Sequence, residues 1–196
     1  MNNENNTTRP ETRYRPCLTF YHANAKGTGA AVQFELHPAH DDHDGSIMMR
    51  IANQSSVGDV RSATPVYPRF DWKNAIPVKL DFSDLCKMLQ VFRGETESIG
   101  EGKGLYHRTS RAQTKIQLCH RLEPVPGYSL EVYRVPNSGE NETRSYIMLR
   151  PEEALGLSEA IAGSMSVISF GIPVVLPHDT RAYEAEQREY RNAVAA

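Results

Sequence analysis

Aromatic rings and cations keep close company in this 196-residue sequence. Tyr21, Arg50, Lys79, Tyr106, Arg108, Lys115, Arg121, Tyr133, Tyr146 and Arg150 all fall on the polar side of segments that alternate with apolar residues, and Trp72, the single tryptophan, stands just ahead of another. Rings and cations on one face suit a particular chemistry. An unstacked base gains roughly 1–3 kcal/mol when laid on an aromatic ring, and a nearby cation meets its phosphate. The competing explanation is structural, because aromatic residues favour half-exposed strands in any case.

Two other constellations invite chemistry. Lys26-Gly27-Thr28-Gly29 looks like part of a phosphate-binding loop, but such a loop opens a helix, and here the alternating run "AAVQFEL" follows. The segment therefore reads as a hairpin turn, either plain or offering Lys26 to a phosphate. His40, Asp41, His43 and Asp44 carry imidazole and carboxylate groups that suit zinc or manganese. Their spacing matches no metal motif, and Gly45 makes the segment a turn, so a metal-dependent nuclease would rest on this loop alone. No G-x-S-x-G or H-E-x-x-H pattern occurs, and His22, His107 and His120 fall inside strand-like runs as structural residues. The expectation is a non-catalytic protein with no metal and no cofactor.

The elements that position these residues follow from periodicity. Cys17–His22 reads as a first strand; Val32, Phe34 and Leu36 alternate with Gln33 and Glu35 in a second; Ile47, Met49 and Ile51 alternate with Met48 and Arg50 in a third. "AIPVKLDF" makes a fourth, with Ile76, Val78, Leu80 and Phe82 on one face. The period then lengthens: Leu85, Met88, Leu89 and Phe92 predict a helix capped by Ser83 and stopped by Gly94. Four more strands follow in "LYHRTS", "TKIQLCHRLEP" (Ile116, Leu118 and Leu122 on its apolar face), "YSLEVYRV" and "TRSYIMLR". Pro151, Glu152 and Glu153 then open a second helix that runs to Phe170 and stops at Gly171 and Pro173. The fold class is α+β, a duplicated ββββα with two antiparallel four-stranded sheets and two helices. Strands joined by short turns pair antiparallel, which excludes a parallel α/β sheet.

Composition agrees with one domain, at 39% hydrophobic and 23% charged residues. The domain is expected over 17–173, with a disordered polar leader over 1–16 and a helix-prone tail over 174–196. No run approaches the roughly 18 apolar residues of a membrane span, and Glu4 and Glu11 argue against a transit peptide, so a cytoplasmic chain is expected. Cys17, Cys86 and Cys119 are widely spaced and read as small buried hydrophobes rather than a disulfide or zinc framework. The formal net charge of −2 excludes a broadly basic duplex-binding surface, so any nucleic-acid site must be a local stripe.

Residues 17–173 resemble the plant Whirly single-stranded DNA-binding proteins. "YHANAKGTGAAVQFEL" is similar to their K-G-K-A-A-L signature, with Lys26, Gly27, Ala30 and Ala31 matching and Thr28 standing where the family has a second lysine. "RFDWKNAIPVKLDFSDLCKML" is similar to the family's Tyr-Asp-Trp followed by strand and helix, through Asp71 and Trp72. The resemblance extends to kinetoplastid mitochondrial RNA-binding proteins and to coactivator-type single-strand binders. It implies a homotetramer with central helices, and outward sheets that bind single-stranded DNA, or RNA in the related proteins, with little sequence preference. The nucleic-acid-binding residues are then Tyr21, Lys26, Arg50, Trp72, Lys79, Tyr106, Arg108, Lys115, Arg121 and Tyr133.

Overall fold

A computed structural model describes residues 17–39, 43–59, 61–139 and 141–171. The leader and the whole of the tail, together with His40, Asp41 and Asp42, lie outside the described residues. Strands β1 (Cys17–His22), β2 (Ala30–His37) and β3 (Ser46–Ser56) form an antiparallel meander. The eleven residues of β3 then serve two partners on their other side: β5 (Ile76–Leu80) pairs with the first half and β4 (Arg69–Phe70) with the end. After helix α1 (Phe82–Phe92), strands β6 (Leu105–Arg108), β7 (Ala112–Arg121), β8 (Gly127–Pro136) and β9 (Thr143–Leu149) make a second antiparallel sheet in chain order, and α2 (Pro151–Phe170) closes the domain.

Register turns alternation into one core. Phe20, Val32, Ile51 and Ile76 lie opposite one another across four strands, as do Leu118, Leu130 and Ile147 across three. Apart from the half-buried Phe20, these residues are almost wholly buried, together with Leu85 and Met88 of α1 and Leu157 and Ile161 of α2. Burying each such side chain is worth about 1.5–3 kcal/mol. The opposite face of each sheet is left outward.

Four expectations shift. The cap of α1 is Asp81, two residues before Ser83: its carboxylate accepts from the Asp84 amide at 2.9 Å, and Asp84 accepts in return from the Asp81 amide. This reciprocal box satisfies two orphan donors, which a serine followed three residues later by Cys86 does not. Phe82 therefore belongs to the helix and is 48% exposed, off the apolar strand face. Leu122 lies past the end of β7 and is 70% exposed, where the chain has turned out of the register that would bury it. Cys17, on the edge strand β1, is exposed rather than buried, while Cys86 and Cys119 are half-buried; all three are free.

Two ion pairs cross between the halves. His22 of β1 meets Glu153 of α2 at 2.8 Å, and His107 of β6 meets Asp84 of α1 at 2.8 Å. Asp84 and Glu153 are each the third residue of their helix, and both also accept the cap residue's backbone N–H. The hydrogen bond to Asp84 raises the His107 pKa against the opposing pull of burial. A raised folded value means that this stabilisation is complete below the ordinary imidazole value of about 6.5 and is lost as pH climbs through the folded value. Thermal unfolding of the wild type should therefore lose stability across that window relative to His107→Gln; identical pH profiles for the two proteins would refute the assignment.

Candidate nucleic-acid interface

On the outward face of the second sheet, Tyr106, Lys115, Tyr133 and Arg144 stand in register, one from each strand. Ring and cation alternate along this row. Lys115 Nζ lies 5.4 Å from the Tyr106 ring centre and Arg144 Cζ lies 5.2 Å from that of Tyr133, within cation–π range. Tyr106 is 69% exposed, so its ring is open to a ligand. Gln117, Glu131 and Tyr146 form the neighbouring row. Glu131 touches both rows: its Oε1 contacts the Arg144 guanidinium, and it accepts the Tyr133 hydroxyl, which lifts the Tyr133 pKa.

A second cluster stands on the outward face of the first sheet. Tyr21, Ala31 and Ala52 lie in register, and both alanines are buried although they face out. What covers this face is aromatic: the Tyr21 ring is 5.5 Å from Phe70 and 6.4 Å, edge-on, from Trp72. Arg50 donates to the Trp72 carbonyl at 2.8 Å, with its guanidinium 5.7 Å from the indole centre. Asp71 fixes the short 3-10 turn that carries Trp72: its carboxylate accepts from the Asn74 side chain at 2.8 Å and backbone at 3.2 Å, and those bonds lower its pKa.

The β1–β2 hairpin presents Lys26 to solvent, and its shape is imposed from inside. Asn24 Oδ1 accepts from the amides of Lys26 and Thr28, and its Nδ2 donates to the Thr28 hydroxyl at 3.1 Å. Thr28 is thus a turn residue rather than an outward cation. Buried Gln54 locks the base of the hairpin: Oε1 accepts from the amides of Asn24 and Gly29, and Nε2 donates to the carbonyls of Asn24 and Ser56. A Cβ on Gly29 would stand 2.2 Å from the His22 carbonyl oxygen and 2.5 Å from Gln54 Oε1, so only glycine fits.

Of the ten expected residues, Lys26 stands on this hairpin, and the other nine divide between the two sheets. Tyr21, Arg50 and Trp72 come together on one sheet, and Tyr106, Lys115 and Tyr133 on the other. Lys79 is exposed one row beyond Arg50, on the edge strand β5. Arg108 ends β6, opposite Gln113, while Arg121 lies at the far end of β7, 3.4 Å from the Ser129 hydroxyl. Arg150, expected on a polar strand face but outside those ten, is committed to Glu153 at the start of α2. Phe70, Arg144, Glu131 and Gln54 belong to the site as well. The alternation of "TRSYIMLR" already places Arg144 on the face of Tyr146. Phe70 lies in a two-residue strand too short for a period to register. Among the described residues no three His, Cys, Asp or Glu side chains are grouped to hold a metal ion, and His40 and Asp41 lie outside them. No described helix is long and apolar enough to cross a membrane.

Two antiparallel sheets that share one core with two helices, in the order strands, helix, strands, helix, constitute a Whirly-type fold. WHY1 from Arabidopsis thaliana matches with a TM-score of 0.64 over 93% of this chain and 94% of that chain, at 12% identity. MRP1/MRP2 of Trypanosoma brucei match with a TM-score of 0.53, covering 79% and 86% of the respective chains at 12% identity. A guide-RNA-binding protein complex bound to a guide RNA matches with a TM-score of 0.50, over 78% and 91%, again at 12% identity. No protein-family model matches the chain, and no curated protein sequence matches it. At such identities the likeness is one of fold.

The hairpin's dependence on a single amide side chain is testable. Gln54→Ala leaves two backbone N–H groups without acceptors and should destabilise the protein by about 2–4 kcal/mol, a buried donor left unpaired costing ~1–3 kcal/mol. Hydrogen exchange at Gly29 should speed up more than exchange in β8. Uniform protection in the variant would show that the hairpin holds itself.

Proposed function

We propose that this protein binds single-stranded nucleic acid, DNA foremost, without catalysis and with little overall sequence preference. The row Tyr106–Lys115–Tyr133–Arg144 is the observation that carries this reading. Successive rows on one sheet face are about 6.8 Å apart, two residues of a strand. That is about twice the ~3.4 Å rise of a stacked duplex strand, so bases meeting successive rows must be unstacked. A duplex buries the base faces that these rings would take; a single strand exposes them. The net charge of −2 places more weight on stacking than on phosphate contact, so the salt dependence should be shallow.

Exposed apolar side chains on the helices support the same reading. Leu155 and Phe170 on α2 are 64% and 81% exposed, and Phe82 on α1 adds to the apolar helical surface. Other copies of the chain would cover these residues in a cytoplasmic homotetramer, leaving both sheets outward. The structural neighbour bound to a guide RNA favours a second reading, in which RNA of the same single-stranded form is the ligand.

Titration of labelled oligo-dT and oligo-U, followed through the fluorescence anisotropy of the label, separates these readings. Binding should be tight and length-dependent, and absence of binding at low salt would sink the proposal. Trp72→Ala and Tyr133→Ala should each weaken binding by about 1–3 kcal/mol, whereas Arg191→Ala should change it little; equal effects would argue against a sheet-face site. Light scattering should return the mass of four chains for the wild type and a smaller species for Leu155→Glu.

A further inference from the structure

The outward face of the second sheet is not uniformly cationic. Beside the ring-and-cation row lies a recess of about 290 Å³ whose polar lining comes from Gln117, Arg121, Glu123, Ser129, Glu131 and Tyr146. Its size is at the bottom of the range for small-molecule sites, about 300–1,000 Å³, which suits one base with its sugar. Two carboxylates against one guanidinium make it hostile to phosphate, although Lys115 and Arg144 stand one row away. A strand crossing the face would leave its phosphates on the cationic row and offer the recess a base edge.

Glu131 decides which edge. Its side chain is 15% exposed and held from two directions, by the Tyr133 hydroxyl and by Arg144, whose contacts both fall on Oε1. A carboxylate so fixed presents acceptors only. Among the four DNA bases, guanine alone carries two adjacent donors on its Watson–Crick edge, N1–H and the exocyclic amino group, which can converge on Oε2, the oxygen that Arg144 leaves open. Adenine, cytosine and thymine each place an acceptor beside their donor, and that acceptor would face the same negatively charged oxygen. Tyr146, in register with Glu131 and 45% exposed, offers a ring to stack on, and Arg121 at the far end offers donors to the remaining acceptors of a purine. Resting on the single-strand reading above, we propose that this recess is a seat for one guanine, with Glu131 as its specificity-determining residue, within an otherwise sequence-tolerant footprint.

The test uses oligo-dT probes with one central guanine, hypoxanthine or adenine, titrated against the full-length protein and against Glu131→Gln. The guanine probe should bind the wild type at least about 5-fold tighter than the adenine probe, the lower end of a bidentate contact's discrimination. Hypoxanthine, which lacks the exocyclic amino group, should fall between the two, and Glu131→Gln should level guanine and adenine. Equal affinities for all three probes in the wild type would overturn the proposal, as would a guanine preference that survives in Glu131→Gln. It would also fall if Glu131→Gln strengthened every probe alike, for then the carboxylate merely neutralises Arg144. Failure of plain oligo-dT to bind would bring down the single-strand reading and the seat together, so that control separates the two outcomes.

Discussion

Two carboxylates hold this architecture together by serving two masters each. Asp84 and Glu153 close the first turns of their own helices, and both then reach a histidine on the leading strand of the other half. A helix amino terminus has unsatisfied N–H groups and a positive dipole end, so an acid there is favoured before any partner arrives. Giving the same acid a histidine from the opposite half ties the orientation of each helix to the other half's sheet. The Glu153 carboxylate shows the balance: burial pulls its pKa up, and the bonds from Arg150 and His22 outweigh that pull and bring it down.

Because the helices and both inner faces are consumed by one core, the outward faces carry no packing duty and take side chains that a core would reject. Even so, they are built rather than merely exposed. Ala31 and Ala52 provide a low floor on which Tyr21, Phe70 and Trp72 gather, and the doubled partnership of β3 brings β4 close enough to contribute Phe70. On the second sheet the inter-strand register, rather than any loop, lines up tyrosines and cations. Asn53 donates to the Arg144 carbonyl at 3.1 Å, joining the end of β3 to the edge strand of the other sheet.

Period-2 alternation was enough to place nearly every core residue of the eight main strands and to assign Tyr106, Lys115 and Tyr133 to one face, because a strand has only two faces to choose between. It could not say which strands lie in register, so the row emerged only once pairing was known. Nor could it reveal Gln54, whose four bonds run to three segments of backbone, or the exchange of partners between halves, since alternation identifies a buried face without naming what covers it. Ser83 and Leu122 went astray for local reasons: a better cap stood two residues upstream, and the strand ended one residue short of the pattern.

The exchange also sets an order of events at the ribosome. The first sheet is complete at Leu80 and α2 begins only at Pro151, so the apolar face is made well before the helix whose carboxylate meets His22. At about 5–20 residues per second of synthesis, that gap lasts on the order of ten seconds. For that time Phe34, Met49 and Val78 have only α1 of the two helices to shelter them. Until α2 arrives, that face of the core is open.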